Sequence, residues 1–288
     1  MTAPVALEST IYAFGLPENE AFALGLTLTN AVKEEGANPV PIAIIDGEPV
    51  YGFSEQVLRQ VCRGENITKA NARDLGALVA TKRSGATTVS GTCVLAAREG
   101  IRVFATGGIG GVHRGGEATF DESMDLLALK DNPVAVVSAG AKSILDLPKT
   151  LERLETLGVP VWGYQTRTFP EFYHGGRDLK LEWTFDDVES LAEALKAHWA
   201  MSPNTGVLIC NAIPAQHELP PAQVDQWLEQ ALHEAKRQNI SGKPLTPFLL
   251  NALKELSGGK TVQANLALIE NNARLAARLA VALAKESK

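Results

Sequence analysis

Lys142 and Glu8 are the two side chains whose type and position could carry covalent and proton-transfer chemistry. Lys142 lies four residues past the apolar run Pro133-Val-Ala-Val-Val-Ser138, within Ala139-Gly-Ala-Lys-Ser-Ile-Leu-Asp146. Such a run reads as a strand covered on both faces, and α/β sheets hold ligands beyond the carboxyl ends of such strands. Small and apolar neighbours there would desolvate an amine, and the uncharged form is a nucleophile toward a sugar aldehyde. The alternative is an ammonium paired with a carboxylate. Glu8 ends the short strand Val5-Ala-Leu7 ahead of Ser9, Thr10 and the turn Gly15-Leu-Pro17. It points either into a cleft or into solvent.

Residues 106–125 supply the second constellation. Six of the first eleven are glycine, a density that brings backbone N–H groups close to an anion and permits positive φ. His113-Arg114 follows, then Asp121, Ser123 and Asp125. An i, i+4 spacing in a helical turn places both carboxylates on one face, suited to a hard divalent ion or a substrate hydroxyl. Gly85-Ala-Thr-Thr-Val-Ser-Gly-Thr92 reads as a strand delivering small residues to a helix N-terminus, one way of holding phosphate or sugar oxygens. Lys69 reads as preceding a helix over residues 70–80, where a lysine is usually solvated. Phe169-Pro-Glu-Phe-Tyr-His174 offers an aromatic cluster that could cover a base, with His174 as a surface histidine or an acid. Asn265, Asn271 and Asn272 fall in the last helix as inward amides or solvent-facing filler.

The elements that must position these groups follow from the punctuation of the chain. Helices are expected over residues 17–35, 54–62, 147–157, 187–199, 221–238, 246–256 and 261–285, with strands over 40–45, 49–53, 101–105, 133–138, 159–164 and 206–210. Asp46-Gly47 reads as the turn of a β-hairpin. The alternation of strand and helix predicts a three-layer α/β/α fold with a central, largely parallel mixed sheet and a helical C-terminal third. At 288 residues and 45% hydrophobic content, we expect one domain over residues 1–288.

Composition narrows the partners. With 27 basic and 33 acidic residues the net charge is −6, and no basic stripe interleaves with aromatics, so a nucleic-acid partner is not expected. Cys62, Cys93 and Cys210 show no paired spacing, which fits small buried residues in a reducing cytoplasm. The first residues show neither a signal peptide nor a membrane span. Ser257-Gly-Gly-Lys-Thr261 lacks the leading glycine and strand of a phosphate-binding P-loop.

Taken together, Ala6-Leu-Glu-Ser-Thr10, Gly85-Ala-Thr-Thr-Val89, Thr106-Gly-Gly-Ile-Gly-Gly-Val-His-Arg114, Asp121-Glu-Ser-Met-Asp125, Ala139-Gly-Ala-Lys-Ser-Ile-Leu-Asp146, Thr246-Pro-Phe248 and the stretch from Ser257-Gly-Gly to Asn272 closely resemble the pseudouridine-5′-phosphate glycosidases, also called the indigoidine synthase A family. The resemblance runs in order over nearly the whole chain. It implies a cytoplasmic, manganese-dependent homotrimeric lyase that reversibly splits pseudouridine 5′-phosphate into uracil and ribose 5-phosphate. It further implies that Glu8 is a proton donor in ribose ring opening and that Lys142 forms a Schiff base at sugar C1. Asp121 matches the metal position. Lys69, Val89, His113, Ser123, Met124 and Asp125 match substrate-binding positions, and Asn265 matches the asparagine that contacts uracil. The chain departs from the family pattern at Phe14-Gly15, where a His-Gly pair is common, and at Ala212, where proline is common. Two other readings compete: a Schiff-base lyase or aldolase acting on another sugar phosphate, and a nucleotide-sensing protein that binds without chemistry.

Overall fold

Among residues 3–240, 242 and 244–285, which the computed structural model describes, the apolar runs form ten strands and the amphipathic segments twelve α-helices. β1 (Pro4–Leu7) leads through α1 (Thr10–Phe14) and α2 (Glu18–Glu34) into β2 (Asn38–Ile45), which turns back as β3 (Glu48–Tyr51). Then come α3 (Glu55–Arg63), β4 (Ile67–Ala70), a 3-10 turn at Ala72–Asp74, α4 (Leu75–Ala80), β5 (Ser84–Thr87) and α5 (Val89–Arg98). β6 (Val103–Ala105) is followed by α6 (Gly116–Thr119), α7 (Met124–Asp131), β7 (Ala135–Ser138), α8 (Leu147–Thr156), β8 (Val161–Tyr164) and β9 (Trp183–Phe185). The last elements are α9 (Val188–Met201), β10 (Val207–Asn211), α10 (Pro221–Arg237), α11 (Leu245–Leu256) and α12 (Lys260–Ala284).

The sheet runs β4-β5-β2-β1-β6-β7-β10-β8-β9, with β3 paired to β2 off this path. Only the β2–β3 and β2–β5 pairings are antiparallel. The hairpin forms where Asp46-Gly47 indicates, both residues taking positive φ, 51° and 84°, as a type I′ turn demands. β6, β7 and β10 are buried along their whole length, as strands covered on both faces must be. α12 packs across β1, β6 and β7 and against α2 and α9, while α5 pairs with α7 and lies on β1, β2 and β5. These are the two helical layers of the expected three-layer fold. No helix among the described residues is long and apolar enough to cross a membrane.

The feature that places the site is the point where the winding reverses. From β1 the chain proceeds to its neighbour β2, whereas from β6, on the other side of β1, it proceeds to β7. Helices leaving adjacent strands in opposite directions open a crevice at their carboxyl ends. Glu8 and Thr106 are the first residues beyond β1 and β6, so they face each other across it.

Several expectations are corrected. Lys69 lies on β4 and does not precede a helix, because Ile67 and Ala70 are buried against β5 while the helix begins only after the Asn71–Asp74 capping box. The short α1 and the three-residue β9 have too few residues to show a period. Asp121 and Asp125 do not share a helical face: α7 starts at Met124, its N-cap is Ser123, and Asp121 stands outside it.

Replacing a fully buried side chain of the central strands should be costly. Leu208→Ala on β10 is expected to lower unfolding stability by ~2–5 kcal/mol, read from urea denaturation of both proteins.

Candidate active site

A cleft of about 780 Å³ opens at the crevice, and nine of the ten residues singled out in the sequence line it: Glu8, Lys69, Val89, His113, Asp121, Ser123, Met124, Asp125 and Lys142. Asn265 stands outside this wall. It lies behind the glycine-rich segment, where a methyl group added to Gly107 would come 3.1 Å from its Oδ1. Arg114, next to His113, is exposed and takes no part in the lining.

Glu8 is almost wholly enclosed, and hydroxyls hold both carboxylate oxygens. Thr10 Oγ1 donates to Oε2 at 2.5 Å, and Thr106 Oγ1 donates to Oε1. Thr106 is itself fully buried. The Thr106 contact leaves no signal in the sequence, because the approach of β1 to β6 spans 98 residues, whereas Thr10 is only two residues from Glu8.

The glycine-rich segment is clamped at several of its amides. Ile109 N donates to Gly140 O, Val112 N to Thr150 Oγ1, and His113 N to Asp121 O. The anion its glycines approach is a side chain of the protein, since Asp125 Oδ2 accepts from Gly110 N at 2.8 Å and Oδ1 from Ser90 N at 2.9 Å. None of the four glycines at 107, 108, 110 and 111 uses positive φ. They are required for close approach: a methyl group on Gly108 would lie 2.6 Å from the Phe172 ring. The ring belongs to the aromatic cluster read from the sequence as a cover for a base. Phe169, Phe172, Tyr173 and His174 are all buried and do not line the cleft, so His174 is not the surface histidine it reads as. Burial also holds the His174 pKa below its ordinary value, against the opposing charge of Glu171.

Two amines share the cleft. Lys142 is half-buried, less enclosed than its apolar sequence neighbours suggest. Lys69 is an exposed residue of the cleft wall, yet desolvation and then the charge of Lys142 hold its pKa below the ordinary lysine value, while Glu8 opposes the shift. Its Nζ lies 5.9 Å from the centre of the Phe14 ring, so the departure at Phe14 faces a cleft residue. Ala212, the other departure, receives a hydrogen bond at its carbonyl from Asn271 Nδ2 at 3.1 Å.

A bound anion would also meet the starts of two helices. Val89 begins α5 and Met124 begins α7, and both line the cleft beside Lys69. For a metal ion the donor set is sparse. Among the described residues no group of three or more His, Cys, Asp or Glu side chains is arranged to enclose one. The Asp121 carboxylate faces the cleft with no hydrogen bond or ion pair among the described residues. This fits a hydrated hard cation held at one carboxylate and completed by water and substrate oxygens.

Comparison with known proteins gives the family of the chain. The family described as indigoidine synthase A like protein matches residues 2–282. A relative from Geobacillus kaustophilus (strain HTA426) named pseudouridine-5′-phosphate glycosidase is 48% identical over 276 residues, 96% of this chain and 92% of that protein. One of the same name from Myxococcus xanthus (strain DK1622) is 47% identical over 98% of this chain and 94% of its own. Among solved structures, the prealnumycin C-glycosynthase AlnA in complex with ribulose 5-phosphate superposes with a TM-score of 0.90 at 39% identity, covering 97% of this chain and 91% of its own. An indigoidine synthase A-like protein from Thermotoga maritima msb8 gives 0.89 at 36% identity, covering 96% and 92%.

The roles of the two loop aspartates should separate on mutation. Asp125→Asn turns an amide donor toward a backbone donor and is expected to cost ~1.5–3 kcal/mol of stability in urea denaturation. Asp121→Asn, which breaks no bond, should leave stability within about 0.5 kcal/mol of wild type.

Proposed function

Because the chain belongs to the indigoidine synthase A-like family of pseudouridine-5′-phosphate glycosidases, which are glycosidic lyases, we propose that it cleaves the C-glycosidic bond of pseudouridine 5′-phosphate through a Schiff base on Lys142. The observation that carries this reading is the convergence of Lys142, Glu8 and Lys69 in one cleft at the reversal of the sheet.

A C-glycoside has no heteroatom on the base side to leave with the bonding electrons, so the two-carboxylate route used on ordinary glycosides lacks a leaving group. An amine supplies an alternative electron source. Protonated Glu8 gives its proton to the ring oxygen as the bond from that oxygen to C1 breaks. The uncharged Lys142 amine bonds to C1 and returns a proton to Glu8. Glu8 then protonates the base carbon, the carbon–carbon bond breaks with its electron pair passing to the base, and the nitrogen lone pair closes an iminium at C1. Water adds to the iminium, one proton returns to Glu8, and the amine departs to free ribose 5-phosphate and uracil. The proton donor and the amine both end as they began.

The remaining cleft residues bind. Lys69 and the N-termini of α5 and α7, at Val89 and at Ser123, Met124 and Asp125, take the phosphate, as charge and helix dipoles favour. By family resemblance His113, which lines the cleft, serves the reacting groups, and Asn265, behind the glycine-rich segment, is the amide assigned to the base. Asp121 holds a hydrated divalent ion, manganese by family resemblance, which when bound supplies positive charge to the substrate oxygens. The enzyme works as a cytoplasmic homotrimer in pseudouridine breakdown.

Borohydride added with ribose 5-phosphate should reduce an iminium and leave a stable adduct on Lys142, found by mass mapping. Lys142→Ala should abolish both adduct and turnover. An adduct on another lysine, or none, overturns the reading. Turnover without any nucleobase supports an aldolase instead. Lys69 adds a pH signature. Its lowered pKa means that its proton leaves at a lower pH than from an ordinary lysine, so KM for the phosphorylated substrate should rise as alkaline pH is approached. Lys69→Arg, charged throughout, should move that rise to higher pH in steady-state assays.

A further inference from the structure

Asn272 is a helix-interior asparagine with no exposure, and its amide makes no bond within its own helix. Its Nδ2 donates to Thr106 O at 2.8 Å, and its Oδ1 accepts from Asn211 Nδ2 at 3.0 Å. The side chain thus joins the ends of β6 and β10 to α12. Thr106 is fixed at its other end as well, its N–H donating to Val137 O at 3.0 Å. From this anchored residue the buried hydroxyl reaches Glu8 Oε1.

The consequence is electrostatic. A carboxylate beside two amines is drawn into an ion pair, and such a pair would keep the lysine protonated and occupy the proton donor at once. Among the described residues Glu8 bonds to two threonine hydroxyls and forms no ion pair, although its charge is felt at Lys69. The terminal torsion of a glutamate is soft, so the side chain alone does not maintain that separation.

We propose that Thr106 and Asn272 are positioning residues for the proton donor: Asn272 fixes the end of β6, and the Thr106 hydroxyl, from that fixed point, holds Glu8 apart from Lys142. The proposal rests on the lyase reading above and assigns to these residues no contact with substrate. A general acid acts only within hydrogen-bond reach of its target, and small misplacements in a site are expensive in rate.

The test compares Thr106→Val, which keeps the shape and loses the hydroxyl, with Thr106→Ser, which keeps it, on pseudouridine 5′-phosphate. Thr106→Val should lower kcat by about ten- to a hundred-fold, on the scale of a displaced catalytic group, with KM unchanged. It should also slow borohydride-trapped adduct formation with ribose 5-phosphate, because the amine is then paired. Thr106→Ser should recover most of the rate. Asn272→Asp keeps the acceptor toward Asn211 and loses the donor toward Thr106, so it should reproduce the kcat loss. The double variant Thr106→Val with Asn272→Asp should then be no slower than the worse single variant. If Asn272→Asp fails to fold, the two Thr106 variants decide alone. Unchanged kcat in Thr106→Val, a parallel change in KM, or no recovery by Thr106→Ser overturns the positioning roles while leaving the lyase reading intact. Wild-type protein without turnover overturns both.

Discussion

The carboxylate of Asp125 is the tie on which the site depends. One of its oxygens takes the Ser90 amide at the start of α5, and the other takes Gly110 in the segment after β6. Two stretches of chain that would each leave buried N–H groups without partners are thereby satisfied by a single ion, and hydrogen bonds to a charged acceptor are stronger than those between neutral groups. α7, which carries Asp125, is held against both. Lys142 is registered from the same scaffold, its own N–H donating to Ile109 O. If that one carboxylate were lost, the direct link between the glycine-rich wall and the start of α5 would go with it.

Glycine at 107, 108, 110 and 111 therefore serves proximity and not positive φ. Gly108 lets the Phe172 ring lie directly beneath the loop, and Gly110 lets a carboxylate reach a backbone amide. The density that looks like a mobile phosphate loop is held by hydrogen bonds and close side-chain contacts. Lys69 and the starts of α5 and α7 line the same cleft, with the Ser90 amide of α5 already bonded to Asp125.

How much of this was legible in the sequence depends on how local each signal is. Continuous apolar runs announced β7 and β10, and Asp46-Gly47 announced its hairpin, because burial and turn chemistry are written within a few residues. Lys142 and Glu8 could be singled out because each follows a recognisable strand, and both line the same cleft. Strand β4 under Lys69 was missed because four residues with two buried positions have no distinctive period. The spacing of Asp121 and Asp125 misled for a different reason. Ser123 caps the helix between them, so the chain turns before their shared face can exist. The aromatic run at 169–173 announces burial but not its partner, since hydrophobicity does not say which surface is being buried. Asn272 is legible as a candidate inward amide, but its partners and those of Thr106 are not, being set by topology.

That an amide on α12 closes the bond network behind a glutamate on β1 ties the seating of the acid to the docking of a helix far away in the chain. If α12 lifted locally from the sheet, the buried carbonyl ending β6 would lose its Asn272 partner while every strand pairing stayed in place. The threonine that bonds the carboxylate would then be freed with no strand undone, so partial opening at the far end of the fold would reach the cleft before the sheet itself came apart.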